Sequence, residues 1–268
     1  MIAFPNAKIN LGLNITKKRP DGYHELESCF FPIGWSDILE IIPSDKLEFN
    51  STGIEIPGKP DQNLCLKAHQ LLCVDFDLSP VKMHLHKIIP IGAGLGGGSS
   101  DGAFALKVMN DLFELNLTNS ELESYAAQLG SDCPFFIQNR SKYVTGTGGN
   151  FSDIKVDLSG KQLIVVKPDL HISTGEAYAG IIPKPTTHDC KKIIEEQSIT
   201  EWKDSLYNDF EGSIFPKHPE ISALKSNLHD QGAIYASMTG SGSAVFGIFE
   251  AGEEVKVSTG KVWRQYLA

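Results

Sequence analysis

Five glycines fall within seven residues, Gly92-Ala93-Gly94-Leu95-Gly96-Gly97-Gly98, and Ser99, Ser100 and Asp101 close the run. Glycine loses more conformational freedom on ordering than any other residue. So dense a cluster therefore implies a backbone that adopts positive φ and approaches another group without a Cβ. Downstream, Ala103, Leu106, Met109, Leu112 and Phe113 interleave with Lys107, Asn110, Asp111 and Glu114 at helical spacing. The loop thus opens into a helix N-terminus, whose first N–H groups lack intrahelical acceptors and carry the positive end of the helix dipole. A phosphate suits that environment, so Pro90, Gly92, Ala93, Gly94, Leu95, Gly96, Gly97, Gly98, Ser99 and Ser100 are candidate phosphate-binding residues.

Two familiar phosphate loops fit less well. The nearest approach to a Walker sequence is Gly53, Gly58 and Lys59, where Pro60 replaces the magnesium-binding hydroxyl, and this segment reads as a turn. Gly92, Gly94 and Gly97 satisfy the dinucleotide fingerprint, but that fold wants a second strand ending in an acidic residue about 20 residues on. Residues 118–129 read as a helix instead.

A chain of 268 residues with 41% hydrophobic content can bury one large core or two modest ones. The net charge of -9 argues against a surface that neutralises nucleic-acid phosphates. Cysteines 29, 65, 73, 133 and 190 are odd in number and form no C-x-x-C pair, and the N-terminus lacks both a basic start and a long apolar segment. Reduced thiols and a cytoplasmic location are the expectation. No apolar run approaches the roughly 18 residues that cross a bilayer, so no membrane partner is expected.

Ile9, Leu11, Leu13 and Ile15 alternate with Lys8, Asn10, Gly12 and Asn14, the pattern of a strand with one apolar face. Lys8 and Asn10 then share the polar face, which is either part of a site or an exposed surface. In Arg19-Pro20-Asp21-Gly22-Tyr23-His24-Glu25, Pro-Asp-Gly signals a turn. The ring and imidazole that follow could stack on a planar ligand or simply decorate a hairpin. Residues 37–56 read as further strands. Asp61 is placed as the cap of a helix carrying Leu64, Ala68, Leu71 and Leu72, and Val81, Met83 and Leu85 as a strand before Pro90.

Thr118 and Glu121 form a capping box for a helix ending at Gly130. Ser131-Asp132-Cys133-Pro134-Phe135-Phe136 follows, in which Pro134 should bias Cys133 to extended geometry and hold Asp132 in an elbow before an apolar strand. Gln162 to Val166 is a strand stopped by Pro168. Ser173 and Glu176 suggest another capping box, and residues 186–200 a polar connection or helical insertion. A helix over 221–228 and a strand over 233–238 lead into Thr239-Gly240-Ser241-Gly242-Ser243-Ala244, before a strand over 245–249. This second glycine-serine loop suggests close backbone packing on a ligand or on the first loop.

Three separated segments together carry a resemblance to the GHMP small-molecule kinases: Ala7-Lys8-Ile9-Asn10-Leu11, Pro90 through Asp101, and Thr239 through Ala244. The resemblance implies an α+β, two-layer protein of the GHMP kinase fold. An N-terminal ATP-binding domain over 1–155 would be ribosomal S5 domain 2-like, and a C-terminal domain over 156–268 ferredoxin-like. It further implies ATP as donor, with Mg2+ bound mainly through the ATP phosphates and no dedicated metal site. Arg19 to His24, the triple glycine with Ser-Ser-Asp, and Leu129 to Phe136 resemble the members whose small-molecule substrate carries a cytidine diphosphate. In those members the acceptor is the 2-hydroxyl of a methylerythritol in the non-mevalonate route to isoprenoids.

On that resemblance Lys8 and Asp132 match the catalytic pair, Asn10 orients the methylerythritol end, and Tyr23 and His24 bind cytosine. Thr174 and Tyr178 line the other side of the pocket, with Tyr178 as the second ring of an aromatic sandwich. Phosphoryl transfer asks mainly for alignment and charge neutralisation. Asp132 could accept the hydroxyl proton while Lys8 lowers the charge cost at the transferred group. Gly102 and Phe104 stand where the family pattern has alanines, which weakens the first helical turn and bears on adenine-side packing. Rival readings are a mevalonate or homoserine kinase of the same family and a non-catalytic ATP-binding sensor. An RNA-binding protein of S5-like fold is disfavoured by the acidic balance.

Overall fold

The computed structural model describes residues 1–185 and 189–267. In chain order it runs β1 (Ile2–Ala3), β2 (Asn6–Lys18), β3 (His24–Ser36), β4 (Ile38–Pro43), β5 (Glu48–Gly53), α1 (Leu64–Asp75) and β6 (Val81–Lys87). There follow α2 (Gly97–Leu112), α3 (Asn119–Leu129), α4 (Phe135–Gln138), β7 (Lys142–Thr145), β8 (Asn150–Asp153) and β9 (Lys161–Lys167). The chain continues through α5 (Thr174–Ala179), α6 (Cys190–Glu196), α7 (Phe210–Ile214), α8 (Pro219–Asp230), β10 (Tyr235–Met238), β11 (Val245–Glu250) and β12 (Lys261–Tyr266). Contacts divide it into two compact units, Met1–Lys8 with Pro32–Ile91 and Gly96–Arg140, and Ile9–Phe31 with Gly92–Leu95 and Ser141–Ala268.

The first unit is built on a sheet of order β1-β4-β6-β5, in which only β5 runs parallel to its neighbour β6. Val81, Met83 and Leu85 are buried and Lys82 is exposed, as the period of two expected. Helix α1 packs along α2, and α2 packs against β4. The α1 cap is Asn63, whose side chain accepts from Cys65 N at 2.9 Å. The expected cap, Asp61, lies instead in a single 3-10 turn, Pro60–Gln62, because Asn63 is the residue with extended backbone next to the first helical turn.

Thr118 and Glu121 form the expected reciprocal box, and Gly130 ends α3. The apolar strand expected after Pro134 is absent: residues 131–134 form a turn and Phe135–Gln138 a short helix. Pro134 adopts φ -59 and ψ -31, since its ring fixes φ in the helical range and a helix start needs no N–H there.

The second unit has an antiparallel sheet of order β10-β11-β9-β12. Its core gathers Leu13, Ile15, Ile164, Val166, Phe210, Ile214, Ile221, Leu228, Met238, Val245 and Phe249. A further sheet has order β2-β3-β7-β8. The polar face of β2 is not an exposed surface, since Lys8, Asn10 and Asn14 are only 3%, 1% and 7% exposed. At α5 only half of the expected capping box forms. Ser173 Oγ accepts from Glu176 N at 3.1 Å, but the Glu176 carboxylate pairs with His218 Nε2 at 2.8 Å. Of the expected insertion over 186–200, residues 186–188 lie outside the described residues; beyond them come α6 and a 3-10 turn, Ile199–Asp204, capped reciprocally by Ser198 and Glu201.

All five cysteines are free, and four of them are buried. Among the described residues no helix is long and apolar enough to cross a membrane.

Candidate functional site

In the first unit the glycine run enters α2 as its spacing predicts. Gly96 is the N-cap, with the left-handed φ of 71° that glycine tolerates best. Ser100 N donates to Gly96 O at 2.9 Å, the first bond of the helix, so the N–H groups of Gly97, Gly98 and Ser99 precede any intrahelical acceptor. A Cβ on Gly96 would lie 3.0 Å from Phe136 Cζ and 3.2 Å from Lys8 Cγ, whereas one on Gly98 would meet nothing within 4 Å. The turn is packed from below and open at Gly98.

Lys8 is held against this turn and reaches Asp132: Nζ lies 3.6 Å from Oδ2, with the lysine side chain 4% and the aspartate 33% exposed. Burial pulls the Lys8 ammonium below its usual value, and the Asp132 charge opposes that pull. Asp132 sits in the turn between the α3 cap and α4, so its direction is fixed at both ends. Next to it, burial pushes the Cys133 thiol up to about 12, partly offset by a hydrogen bond with Ser99, so this cysteine stays protonated. Ser99 is half-buried, while Ser100 is fully buried with Oγ lacking a hydrogen-bond partner among the described residues.

In the second unit Gly92–Leu95 packs against the late glycine-serine loop, one of the two outcomes its composition suggested. A Cβ on Gly94 would fall 2.0 Å from Thr239 O, and Ala244 N donates to Ala93 O at 3.2 Å. Thr239 Oγ1 donates toward Gly94 O at 3.2 Å and accepts from Asn10 N at 3.0 Å. The Asn10 side chain donates to Ser28 Oγ at 2.9 Å.

A residue the sequence reading missed secures this loop. Asn208, 2% exposed, donates to Met238 O at 2.7 Å and Gly240 O at 2.9 Å, and its Oδ1 accepts from Phe210 N at 3.0 Å. Both amide N–H donors and the side-chain carbonyl are thus engaged by backbone groups. Its neighbour Asp209 accepts from Ile15 N at 2.7 Å, a pairing 194 positions apart that no local sequence pattern marks.

Residues 19–22 form the turn that Pro-Asp-Gly predicts: Gly22 N donates to Arg19 O at 3.1 Å and Arg19 N to Tyr23 O at 2.7 Å. Tyr23 is 68% exposed. His24 stacks directly on Tyr178, centroids 4.8 Å apart and planes at 27°, and Tyr178 meets Phe210 edge-on at 4.9 Å. Tyr178 thus has the His24 ring stacked on it and Phe210 against it edge-on. Thr174 is exposed at the first position of α5. Among the described residues no group of three His, Cys, Asp or Glu side chains could hold a metal ion.

Gly102, the departure from the family pattern, has a packing reason. A Cβ there would lie 2.9 Å from Leu64 Cβ and 3.4 Å from Leu129 Cδ1, so glycine permits the close seating of α1 on α2. Phe104 places its ring 4.5 Å under Lys107 Nζ.

Comparison with known proteins bears on the same segments. Residues 63–140 match the GHMP kinases N terminal domain and residues 190–263 the GHMP kinases C terminal region. The chain is 52% identical over 254 residues to a protein of Bacteroides thetaiotaomicron named 4-diphosphocytidyl-2-C-methyl-D-erythritol kinase, covering 93% of this chain and 92% of that one. It is also 52% identical to the Cytophaga hutchinsonii protein of the same name, covering 95% and 94%. A solved structure of 4-(cytidine 5'-diphospho)-2C-methyl-D-erythritol kinase matches with TM-score 0.83 and 29% identity over 98% of both chains. The Methanococcus jannaschii mevalonate kinase shares the fold, with TM-score 0.67 at 15% identity over 94% and 92%. With both terminal regions matched and relatives of half-identical sequence spanning nearly its whole length, the chain belongs to the GHMP kinase family of small-molecule kinases.

Proposed function

We propose that this protein transfers the γ-phosphoryl group of ATP to the 2-hydroxyl of 4-diphosphocytidyl-2-C-methyl-D-erythritol, giving its 2-phosphate and ADP in the non-mevalonate isoprenoid pathway. The observation that carries this reading is the juxtaposition, within one unit, of the Lys8 and Asp132 pair with the glycine-lined start of α2. The acceptor is taken from the named relatives, whose identity of about one half spans more than nine-tenths of the chain.

In this reading the N–H groups of Gly97, Gly98 and Ser99 bind phosphate oxygens, and the open space at Gly98 is where they approach. Gly92, Gly94 and Gly96 give the backbone its path. Mg2+, held through the phosphates, would supply further charge neutralisation, and Ser99 offers an accessible hydroxyl that would help to hold it. Asp132 positions the acceptor hydroxyl and takes its proton, and Lys8 neutralises charge developing on the transferred group. A tertiary alcohol has a high pKa, so alignment contributes more than proton removal. Asn10 orients the methylerythritol end. Tyr23 stacks on the cytosine, next to the His24 and Tyr178 rings, with Thr174 at the rim. We place the division between an N-terminal ATP-binding domain and a C-terminal domain near residues 155 and 156, between the two matched segments, and the protein in the cytoplasm.

A coupled ADP-release assay tests the reading. Turnover is expected with the cytidyl substrate and not with mevalonate, homoserine or no acceptor. Turnover with mevalonate or homoserine in its place would reassign the acceptor, and ATP binding without turnover of any acceptor would point to a sensor.

A further inference from the structure

Beneath the first turn of α2 lies a buried cluster of charge separate from the Lys8 and Asp132 pair. Lys87, the last residue of β6, donates through Nζ to Asp37 Oδ2 at 2.5 Å and to Asp101 Oδ2 at 2.6 Å. The three side chains are 3%, 0% and 6% exposed. Asp37 Oδ1 also accepts from Ile88 N at 2.5 Å and Ile89 N at 2.8 Å, so one carboxylate ties the lysine to the strand end leading to the glycine run. Asp101 ties the same lysine to α2. A Cβ on Gly97 would lie 3.1 Å from Lys87 Nζ and 2.9 Å from Ile89 Cγ2, so the ammonium sits directly under that turn, which explains why this glycine is needed.

Such a cluster is a costly way to gain stability, because buried ions lose hydration that mutual attraction only partly returns. It does fix geometry. We propose that Lys87, Asp37 and Asp101 are positioning residues, a clasp that sets the first turn of α2 against the end of β6 and so aims its N–H groups at the phosphates of ATP. This rests on the glycine run being the ATP site.

The clasp also has a defined charge. One lysine faces two carboxylates: Asp37 accepts from three donors, whereas Asp101 Oδ1 is buried without a hydrogen-bond partner among the described residues. The shared proton therefore resides on Asp101, whose carboxyl is pushed up to about 8 by burial, against the pull of Lys87 and with the help of Asp37. Cys65 on α1 is the other titratable group facing it, a thiol that burial and Asp101 keep protonated. At neutral pH no net negative charge then lies under the phosphate site. Ionisation of Asp101 places one there.

Two full-length variants test this by direct titration with MgATP, alongside KM for each substrate and melting temperature. Lys87→Met is expected to weaken ATP binding about ten-fold or more while leaving cytidyl-substrate affinity within about two-fold. Asp101→Asn keeps a neutral acceptor for Lys87. It should hold ATP affinity at pH 7 within about three-fold of the parent and remove part of the decline in affinity above about pH 8. Lys8 is unchanged in both proteins, so the difference between the two curves is the readout.

A folded Lys87→Met protein with parental ATP affinity overturns the clasp, and so does an equal loss of affinity for both substrates. Superimposed pH curves for the parent and Asp101→Asn overturn it too, and that comparison decides the matter should Lys87→Met not fold. Turnover of another acceptor would displace only the acceptor assignment, because ATP binding is measured independently; a parent protein that binds no ATP would overturn both.

Discussion

Lys8 Nζ lies 3.6 Å from Asp132 Oδ2, a lysine almost fully buried facing a carboxylate that keeps a third of its surface in solvent. The asymmetry gives the pair one fixed and one accessible member. The fixed cation is oriented by its packing under Gly96, and the carboxylate is open to solvent. Asp132→Asn preserves shape and removes the carboxylate proposed to accept the proton. The expected result is a fall in kcat of about 10²- to 10⁴-fold, with ATP and cytidyl-substrate affinities retained in calorimetric titrations. Parental kcat would remove Asp132 from the mechanism.

Tyr23 and Tyr178 should separate binding from stability. Tyr23 is mostly exposed, so Tyr23→Ala should leave the melting temperature unchanged and weaken cytidyl-substrate binding by about 1 to 3 kcal/mol, the range for base stacking on an aromatic ring. Tyr178→Ala removes contacts with His24 and Phe210 and should lower both substrate affinity and melting temperature.

The glycines of the run are not equivalent. Gly94 has φ of +76° and no room for a Cβ against Thr239 O, so Gly94→Ala should lower stability by about 1 to 3 kcal/mol or more and disrupt ATP binding with it. Gly98 sits in the first turn of α2 with open space around it. Gly98→Ala should gain up to about 1 kcal/mol of stability from helix propensity and yet weaken ATP binding, because the methyl occupies the approach to the N–H groups. Denaturant titrations with and without ATP distinguish the two behaviours.

Asn208→Ala would leave Met238 O, Gly240 O and Phe210 N without their present partner. A loss of about 2 to 4 kcal/mol is expected from urea unfolding, since buried polar groups left unsatisfied each cost about 1 to 3 kcal/mol. A loss below about 1 kcal/mol would show that the loop finds other partners.

Stability should also depend on pH through Asp101. An unfolded aspartate titrates at about 3.9 and the folded one at about 8, so between these values the folded state binds the additional proton. The contribution is complete below the unfolded value, declines as pH rises, and is lost once pH passes about 8. The stability of the parent relative to Asp101→Asn should therefore decline from pH 5 to pH 9, whereas a constant difference would place the proton elsewhere.

Much of this was legible in the chain because it is written in local chemistry. The glycine run predicts its own turn and helix, Thr118 and Glu121 predict their box, and strands such as β6 follow from a period of two. Phe135–Gln138 departs from the expected strand because three apolar residues after a proline carry no period, and the turn ahead of them settled the outcome. Asp61 was expected as the α1 cap, and Asn63, two residues on, takes that place because backbone geometry puts it next to the first turn. The Lys87 clasp joins residues 50 and 14 positions apart, and Asn208 reaches 30 and 32 positions ahead, pairings that exist only once the sheets are assembled.

The absence of a side chain at Gly102 links two positions. An alanine at that position would press within 2.9 Å of Leu64 Cβ, so it is compatible only with a helix α1 seated differently. Substitutions at 64 and 102 are therefore expected to be coupled: Gly102→Ala alone should lower stability, and a smaller side chain at 64 should restore part of it.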